Sequence, residues 1–232
     1  ILERERCTGF IGVPSMLTAM MEEPDFAARD LSALQRIVIG GAAVPPPFLK
    51  RCEDTFGVPM LNGYGQTESC GVSASVRMDD SAEKKTATSG LALEGVSLKV
   101  VDAKGQVLPC DTPGELCVDG PGKMLRYGDT AATDEAFDSD GWLRTGDIAT
   151  MDSEGYVTIV GRLKEMVIRG GENLYPAEIE AYLIEHPDIA EAAVFGLPDE
   201  KYGEELCAVL RPARPDHADA DAVRDWCFSQ VS

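Results

Sequence analysis

The sequence predicts an α/β protein in three parts: a β-α-β unit, a small and largely antiparallel β subdomain, and a small α+β domain. Three observations predict it. Arg36-Ile37-Val38-Ile39 closes on Gly40-Gly41, Pro45, Pro46 and Pro47 open a periodic segment that Gly57 ends, and Val58-Pro59-Met60-Leu61 starts a second strand. From Gly90 onward, short strands alternate with glycine and proline turns. Beyond Lys164 a strand, a proline-opened helix and two more strands occur in turn. The expected divisions are residues 1–89 for the α/β part, 90–163 for the β subdomain and 164–232 for the last domain.

In chain order, residues 8–13 read as a strand and loop, and residues 14–21 as a short helix with Pro14 near its start. Leu31 and Leu34 lead into the strand that begins at Arg36. Proline at the start and Gly57 just past the end mark the next helix in the usual asymmetric way. Asn62-Gly63-Tyr64-Gly65-Gln66-Thr67-Glu68-Ser69 then falls at the C-terminal end of a strand, where open α/β sheets bind ligands. Gly63 and Gly65 remove side chains on either side of Tyr64, which lets a flat ligand approach ring and backbone. Thr67 and Glu68 set a hydroxyl beside a hard carboxylate, a pairing suited to phosphate and magnesium.

In the β subdomain, residues 96–101 and 114–118 read as strands, with a turn at 102–105. Gly120-Pro121-Gly122-Lys123 reads as a plain loop. A phosphate loop would need glycine where Cys117 stands and serine or threonine where Met124 stands. Asp138-Ser139-Asp140-Gly141 lacks the glutamate that closes a calcium loop and reads as a solvated turn. Asp147 after Gly146 is either a turn former or a carboxylate able to accept two ribose hydroxyls. Residues 148–160 read as a hairpin ending at Gly161-Arg162. Arg162 is either a surface arginine or a planar fork for paired oxygens.

After Lys164, Met166-Val167-Ile168 forms a strand into Gly170-Gly171. Pro176 opens a helix running to about Glu185, with Ile179, Tyr182 and Leu183 at helical spacing. Residues 190–195 and 206–210 read as strands, and 219–227 as a last helix with Val223 and Trp226 on one face.

A net charge of −19, from 40 acidic and 21 basic residues, argues against nucleic acid and anionic membrane as partners, since both need a basic face. No apolar run of about 18 residues is present, so no membrane-spanning helix is expected. Seven cysteines without a Cys-x-x-Cys pair suit a reducing cytoplasm. Ile1 is not a start methionine, and the chain is expected to be a piece of something longer.

Tyr64-Gly65-Gln66-Thr67-Glu68 resembles the tyrosine-glycine-x-threonine-glutamate segment of the adenylate-forming superfamily. That superfamily includes acyl-CoA synthetases, aryl-CoA ligases, peptide-synthetase adenylation domains and beetle luciferases. Gly114-Glu115-Leu116, Gly141-Trp142-Leu143-Arg144-Thr145-Gly146-Asp147, Gly155-Tyr156 and Gly161-Arg162-Leu163-Lys164 come next in the family's order. Gly170-Gly171-Glu172-Asn173, Pro176-Ala177-Glu178-Ile179-Glu180 and Gly196-Leu197-Pro198-Asp199 complete the series.

The resemblance implies the second half of a large AMP-binding domain and then most of a truncated small domain. It implies that the substrates are a small carboxylic acid, ATP and coenzyme A, with magnesium, in an AMP-forming acyl-CoA synthetase. Gly40, Gly41 and Ala42 would lie beside adenine, and Tyr64 would stack on it, with Gly65 making room. Thr67 would contact the α-phosphate, Glu68 would hold magnesium, and Asp147 and Arg162 would bind ribose. Lys164 would be the interdomain hinge, and Gly170 and Gly171 would line the pantetheine channel. Two phosphate-facing lysines of the family have no counterpart, the last lysine being Lys201, so this stretch alone is expected to be inactive. An adenylation domain loading a carrier protein and a non-catalytic binding module are the alternatives, and oligomeric state is left open.

Overall fold

A computed structural model describes residues 1–41, 44, 46–214 and 220–230. The chain separates into two compact units, Ile1–Ile159 and Val160–Ser232.

The first unit begins with β1 (Gly9–Gly12), α1 (Pro14–Glu22), β2 (Arg36–Ile39), α2 (Pro46–Phe56) and β3 (Met60–Tyr64). β1, β2 and β3 pair in parallel, Gly9 facing Arg36 and Ile37 facing Met60. Parallel neighbours need crossover connections, and here α1 and α2 lie within them. Ile37, Ile39 and Met60 from the strands bury against Leu17, Leu49, Cys52 and Phe56 from the helices. Gly57 ends α2 at φ +69°, a conformation that glycine adopts without steric cost. β3 starts at Met60 and not at Val58, because Pro59 has no N–H to give the ladder. The Pro59 carbonyl still accepts from Ile37 N at 3.0 Å.

Two short strands, β4 (Ala74–Ser75) and β5 (Leu91–Ala92), extend this sheet antiparallel, with Tyr64 facing Ala74. Between them lies α3 (Ala82–Ala87), whose N-cap Ser81 accepts from Lys84 N at 3.2 Å. A second sheet has the order β6 (Ser97–Val101), β7 (Gly114–Asp119), β8 (Leu143–Met151) and β9 (Val157–Arg162). The helix α4 (Thr130–Ala136) interrupts the connection from β7 to β8. Val100, Leu116, Ala149 and Val157 of this sheet share a core with Tyr64 and Ala74. The end of β3 is thereby packed from both sheets of the unit.

The second unit contains β10 (Val167–Arg169), β11 (Glu172–Leu174), α5 (Pro176–Ile184), β12 (Ile189–Asp199), β13 (Gly203–Pro212) and α6 (Ala220–Gln230). Its sheet order is β11-β10-β13-β12, antiparallel throughout. Leu183 of α5 packs with Ile189 and Val194 of β12, and Val223 and Cys227 of α6 join them. β12 and β13 are longer than the sequence pattern predicts. The register continues past Phe195 through Asp199 opposite Gly203, so cross-strand pairing carries them beyond their apolar cores. No helix among the described residues is long and apolar enough to cross a membrane.

Candidate active site

The site is built on the turn that leaves β3. Ser69 Oγ donates to the Gln66 carbonyl at 3.1 Å and accepts from Ser73 Oγ at 2.8 Å, closing a short 3-10 turn over Thr67–Ser69. Cys70 and Gly71 leave that turn at φ +62° and +97°, which doubles the chain back. The return path runs so close that a Cβ on Gly65 would lie 1.6 Å from the Gly71 carbonyl oxygen. Only glycine fits there. Gly40, at the end of β2, is under the same constraint, since its Cβ would stand 2.3 Å from the Gly63 carbonyl. Gly41 comes next at φ +77°. Ala42, expected beside adenine, lies outside the described residues.

Within the turn Thr67 is exposed and Glu68 half-buried. Glu68 is held twice by one segment. Its carbonyl accepts from Met124 N at 2.7 Å, and its carboxylate Oε1 accepts from the Tyr127 hydroxyl at 2.8 Å. The hydrogen bond to Glu68, with burial behind it, pushes the Tyr127 phenol above its ordinary range. Lys123 is committed elsewhere, to Asp119 at 2.5 Å and to the Gly141 carbonyl. Residues 120–123 form a turn closed by Lys123 N on the Gly120 carbonyl at 3.2 Å, and the loop that follows, through Met124 and Tyr127, braces the Glu68 turn.

Asp147 reaches the site through an irregular register. Glu115 faces Ile148 and Cys117 faces Arg144, so Leu116 stands against three residues, Thr145, Gly146 and Asp147. Such a bulge re-aims a side chain. Glu115 supports it: its Oε1 accepts from Gly146 N at 3.3 Å, and its Oε2 takes Arg144 Nε at 3.0 Å. Thr145 Oγ1 donates to the Leu116 carbonyl at 2.7 Å and accepts from Asp147 N at 3.1 Å. Behind the bulge, burial and then the Glu115 charge push the Cys117 thiol up to about 11, which keeps it neutral and inert. Asp147 is itself buried, and its Oδ2 accepts from the Tyr64 hydroxyl at 2.6 Å. That short charge-assisted bond joins residues 83 positions apart in sequence.

The first unit therefore brings Gly40, Gly41, Tyr64, Gly65, Thr67, Glu68 and Asp147 to the ends of β2 and β3 and the neighbouring bulge. The remaining candidates belong to the second unit. Arg162 ends β9, and its carbonyl accepts from Glu165 N and Met166 N, both at 3.1 Å. Lys164 is exposed. Gly170 and Gly171, at φ +60° and +90°, form the two-residue turn between β10 and β11, the arrangement a tight hairpin requires. Sequence reasoning missed Tyr127 and the support that Glu115 gives the bulge. The only local sign of the first was an aromatic in a loop two residues before the N-cap Asp129.

Magnesium coordination by carboxylates needs only one or two of them when phosphate oxygens supply the rest. Glu68 presents one, with a single oxygen engaged by a phenol. No group of three His, Cys, Asp or Glu side chains able to hold an ion by themselves occurs among the described residues. A single carboxylate with one oxygen engaged by a phenol fits a metal whose other ligands are a nucleotide's phosphate oxygens.

The family profile described as AMP-binding enzyme matches residues 1–128. The chain belongs to the AMP-binding enzyme family. The C-terminal domain of the same family matches residues 178–232. Over 234 aligned positions the chain is 38% identical to a mitochondrial medium-chain acyl-CoA ligase, ACSF2, of Danio rerio, covering 100% of the chain and 39% of that protein. Over 222 positions it is 41% identical to an indoleacetate–CoA ligase of Aromatoleum aromaticum, covering 96% and 43%. Among solved structures, an O-succinylbenzoate coenzyme A synthetase from Bacillus subtilis, in complex with ATP and magnesium, superposes with a TM-score of 0.85 at 33% identity. That match covers 100% of this chain and 46% of the other. The chain is thus a member of the adenylate-forming superfamily and spans under half the length of these relatives.

Proposed function

We propose that the polypeptide carrying this chain is an AMP-forming acid–thiol ligase. A carboxylate oxygen of the acid attacks the α-phosphorus of ATP, and the bond to pyrophosphate breaks. The coenzyme A thiol then attacks the acyl carbon, AMP leaves, and the thiol proton passes to solvent. The observation that carries this reading is the Tyr64–Asp147 hydrogen bond, which sets an aromatic ring and an aligned carboxylate side by side. A carboxylate has about four acceptor positions and can accept paired hydroxyls such as the two of a ribose. Tyr64 serves adenine, with Gly40, Gly41 and Ala42 along its edge and Gly65 admitting the backbone turn. Thr67 serves the α-phosphate and Arg162 the ribose. Magnesium held by Glu68 would neutralise phosphate charge. Lys164 serves as the hinge of the second unit, and Gly170 and Gly171 leave the pantetheine a path free of side chains. The family's two phosphate-facing lysines match nothing in this stretch, so these residues alone do not form the adenylate. Seven unpaired thiols support a reducing compartment such as the cytoplasm.

Steady-state kinetics on the polypeptide encoded by the complete reading frame test this. Asp147→Ala removes hydrogen bonds to a charged acceptor worth roughly 1.5–3 kcal/mol and raises the KM for ATP. Glu68→Ala lowers kcat at saturating ATP, because metal-stabilised charge grows as pyrophosphate leaves. Wild-type turnover in Glu68→Ala would remove the magnesium role. ATP–pyrophosphate exchange by residues 1–232 alone, well above a protein-free blank, would show that they suffice for the adenylate.

A further inference from the structure

We propose that Tyr127 is a positioning residue for Glu68: it fixes which carboxylate oxygen faces the metal that accompanies the nucleotide. The proposal rests on the metal role assigned to Glu68 above. The geometry is specific. The Tyr127 hydroxyl donates to Glu68 Oε1 at 2.8 Å, and the same segment holds the Glu68 backbone through Met124 N. Tyr127 is anchored in turn, since its N–H donates to Thr133 Oγ1 at 3.0 Å, and that hydroxyl donates to the Asp129 carbonyl at 2.8 Å. Asp129 caps α4 by accepting from Ala131 N at 3.0 Å. The glutamate is therefore tied at backbone and side chain to the segment that leads into α4, and Tyr127 lies 59 residues beyond it in sequence.

The consequence is chemical. A free glutamate on a half-exposed turn samples several rotamers and offers either oxygen, or both, to a cation. With Oε1 accepting from the phenol, Oε2 is the oxygen left with open acceptor capacity, and the side chain is held before the ligand arrives. Partners that orient a metal ligand in this way commonly matter about 10- to 100-fold to metal affinity. Tyr127 is itself 37% exposed, so removing its hydroxyl leaves little unsatisfied in the interior.

The test is calorimetric titration of the polypeptide encoded by the complete reading frame with Mg·ATP and, separately, with ATP in EDTA. Glu68→Gln, Tyr127→Phe and the double variant are compared with the parent, and folding is checked by circular dichroism. Tyr127→Phe is expected to weaken Mg·ATP about tenfold, the low end of the range for such partners, and to leave metal-free ATP unchanged. In the Glu68→Gln background it should add nothing. An equal loss for both forms of the nucleotide, or no loss for either, overturns the proposal while the Glu68 assignment stands. If Glu68→Gln itself binds Mg·ATP like the parent, the metal reading fails, and the role of Tyr127 falls with it.

Discussion

The turn after β3 and the turn between β10 and β11 both depend on glycine, and glycine does a different thing in each. At Gly65 the backbone is not in the left-handed region; the constraint is the Gly71 carbonyl, 1.6 Å from where a Cβ would be. At Gly171 nothing lies within 4 Å of an added Cβ, and the constraint is φ +90° alone. The first turn is locked by tertiary packing: Tyr64 is tied to Asp147, Glu68 to Tyr127, and Ser69 to Ser73. The second is a local hairpin on an exposed edge. The turn proposed to serve ribose and phosphate is built from long-range hydrogen bonds, whereas a turn that only needs to be narrow is built from backbone freedom.

Each unit carries one tryptophan, Trp142 in the first and Trp226 in the second, so fluorescence during urea unfolding reports them separately. The largest effect belongs to Gly65→Ala, which must displace backbone. A loss of about 3 kcal/mol from the Trp142 transition is expected, with the Trp226 transition unmoved. Gly63→Ala is its control, because a Cβ there meets the Ala74 carbonyl at an ordinary 3.4 Å. Comparable losses from the two would mean that close approach is not what Gly65 serves.

Tyr64→Phe comes next. It removes a donor from a buried carboxylate and should cost the first unit about 2 kcal/mol. A neutral result would mean that Asp147 is satisfied without the Tyr64 hydroxyl. Gly171→Ala should cost the second unit about 1–2 kcal/mol through backbone strain alone. Gly171→Asn, which tolerates positive φ, should recover part of this. If asparagine is no better than alanine, space and not φ governs the hairpin.

Lys164→Ala closes the series. The side chain is exposed, so the change in unfolding free energy should stay within about 0.5 kcal/mol. Its interest is kinetic. Trypsin should cut the parent chain first at Arg162 or Lys164, as expected of a mobile connection between the units. A first cut inside β6–β8 would remove the hinge from consideration and make the two units less different than their turns imply.

Much of this molecule was legible without coordinates. The β2-α2-β3 unit, the β8–β9 hairpin, the strand into Gly170-Gly171 and α5 all stand where periodicity, proline and glycine put them. Boundaries moved at Pro59, which has no N–H to give the ladder, and along β12, which pairing with β13 extends. α3 and α4 escaped notice because each is a short polar segment with no apolar stripe; their N-caps, Ser81 and Asp129, were the only signs.

By itself, the sequence determined which residues stand in turns and at strand ends, since φ preferences and side-chain spacing act over a few residues. It also determined the chemical inventory: an aromatic, a hydroxyl, a carboxylate and a second carboxylate in the family's order. The tertiary structure alone decided that Asp147 turns toward Tyr64, because the bulge opposite Leu116 arises from the pairing of β7 with β8 and from the buried Glu115 that supports it. It alone decided that Tyr127 meets Glu68, 59 residues apart. Hydrogen bonds across that separation depend on register and packing between strands, and no local pattern encodes those.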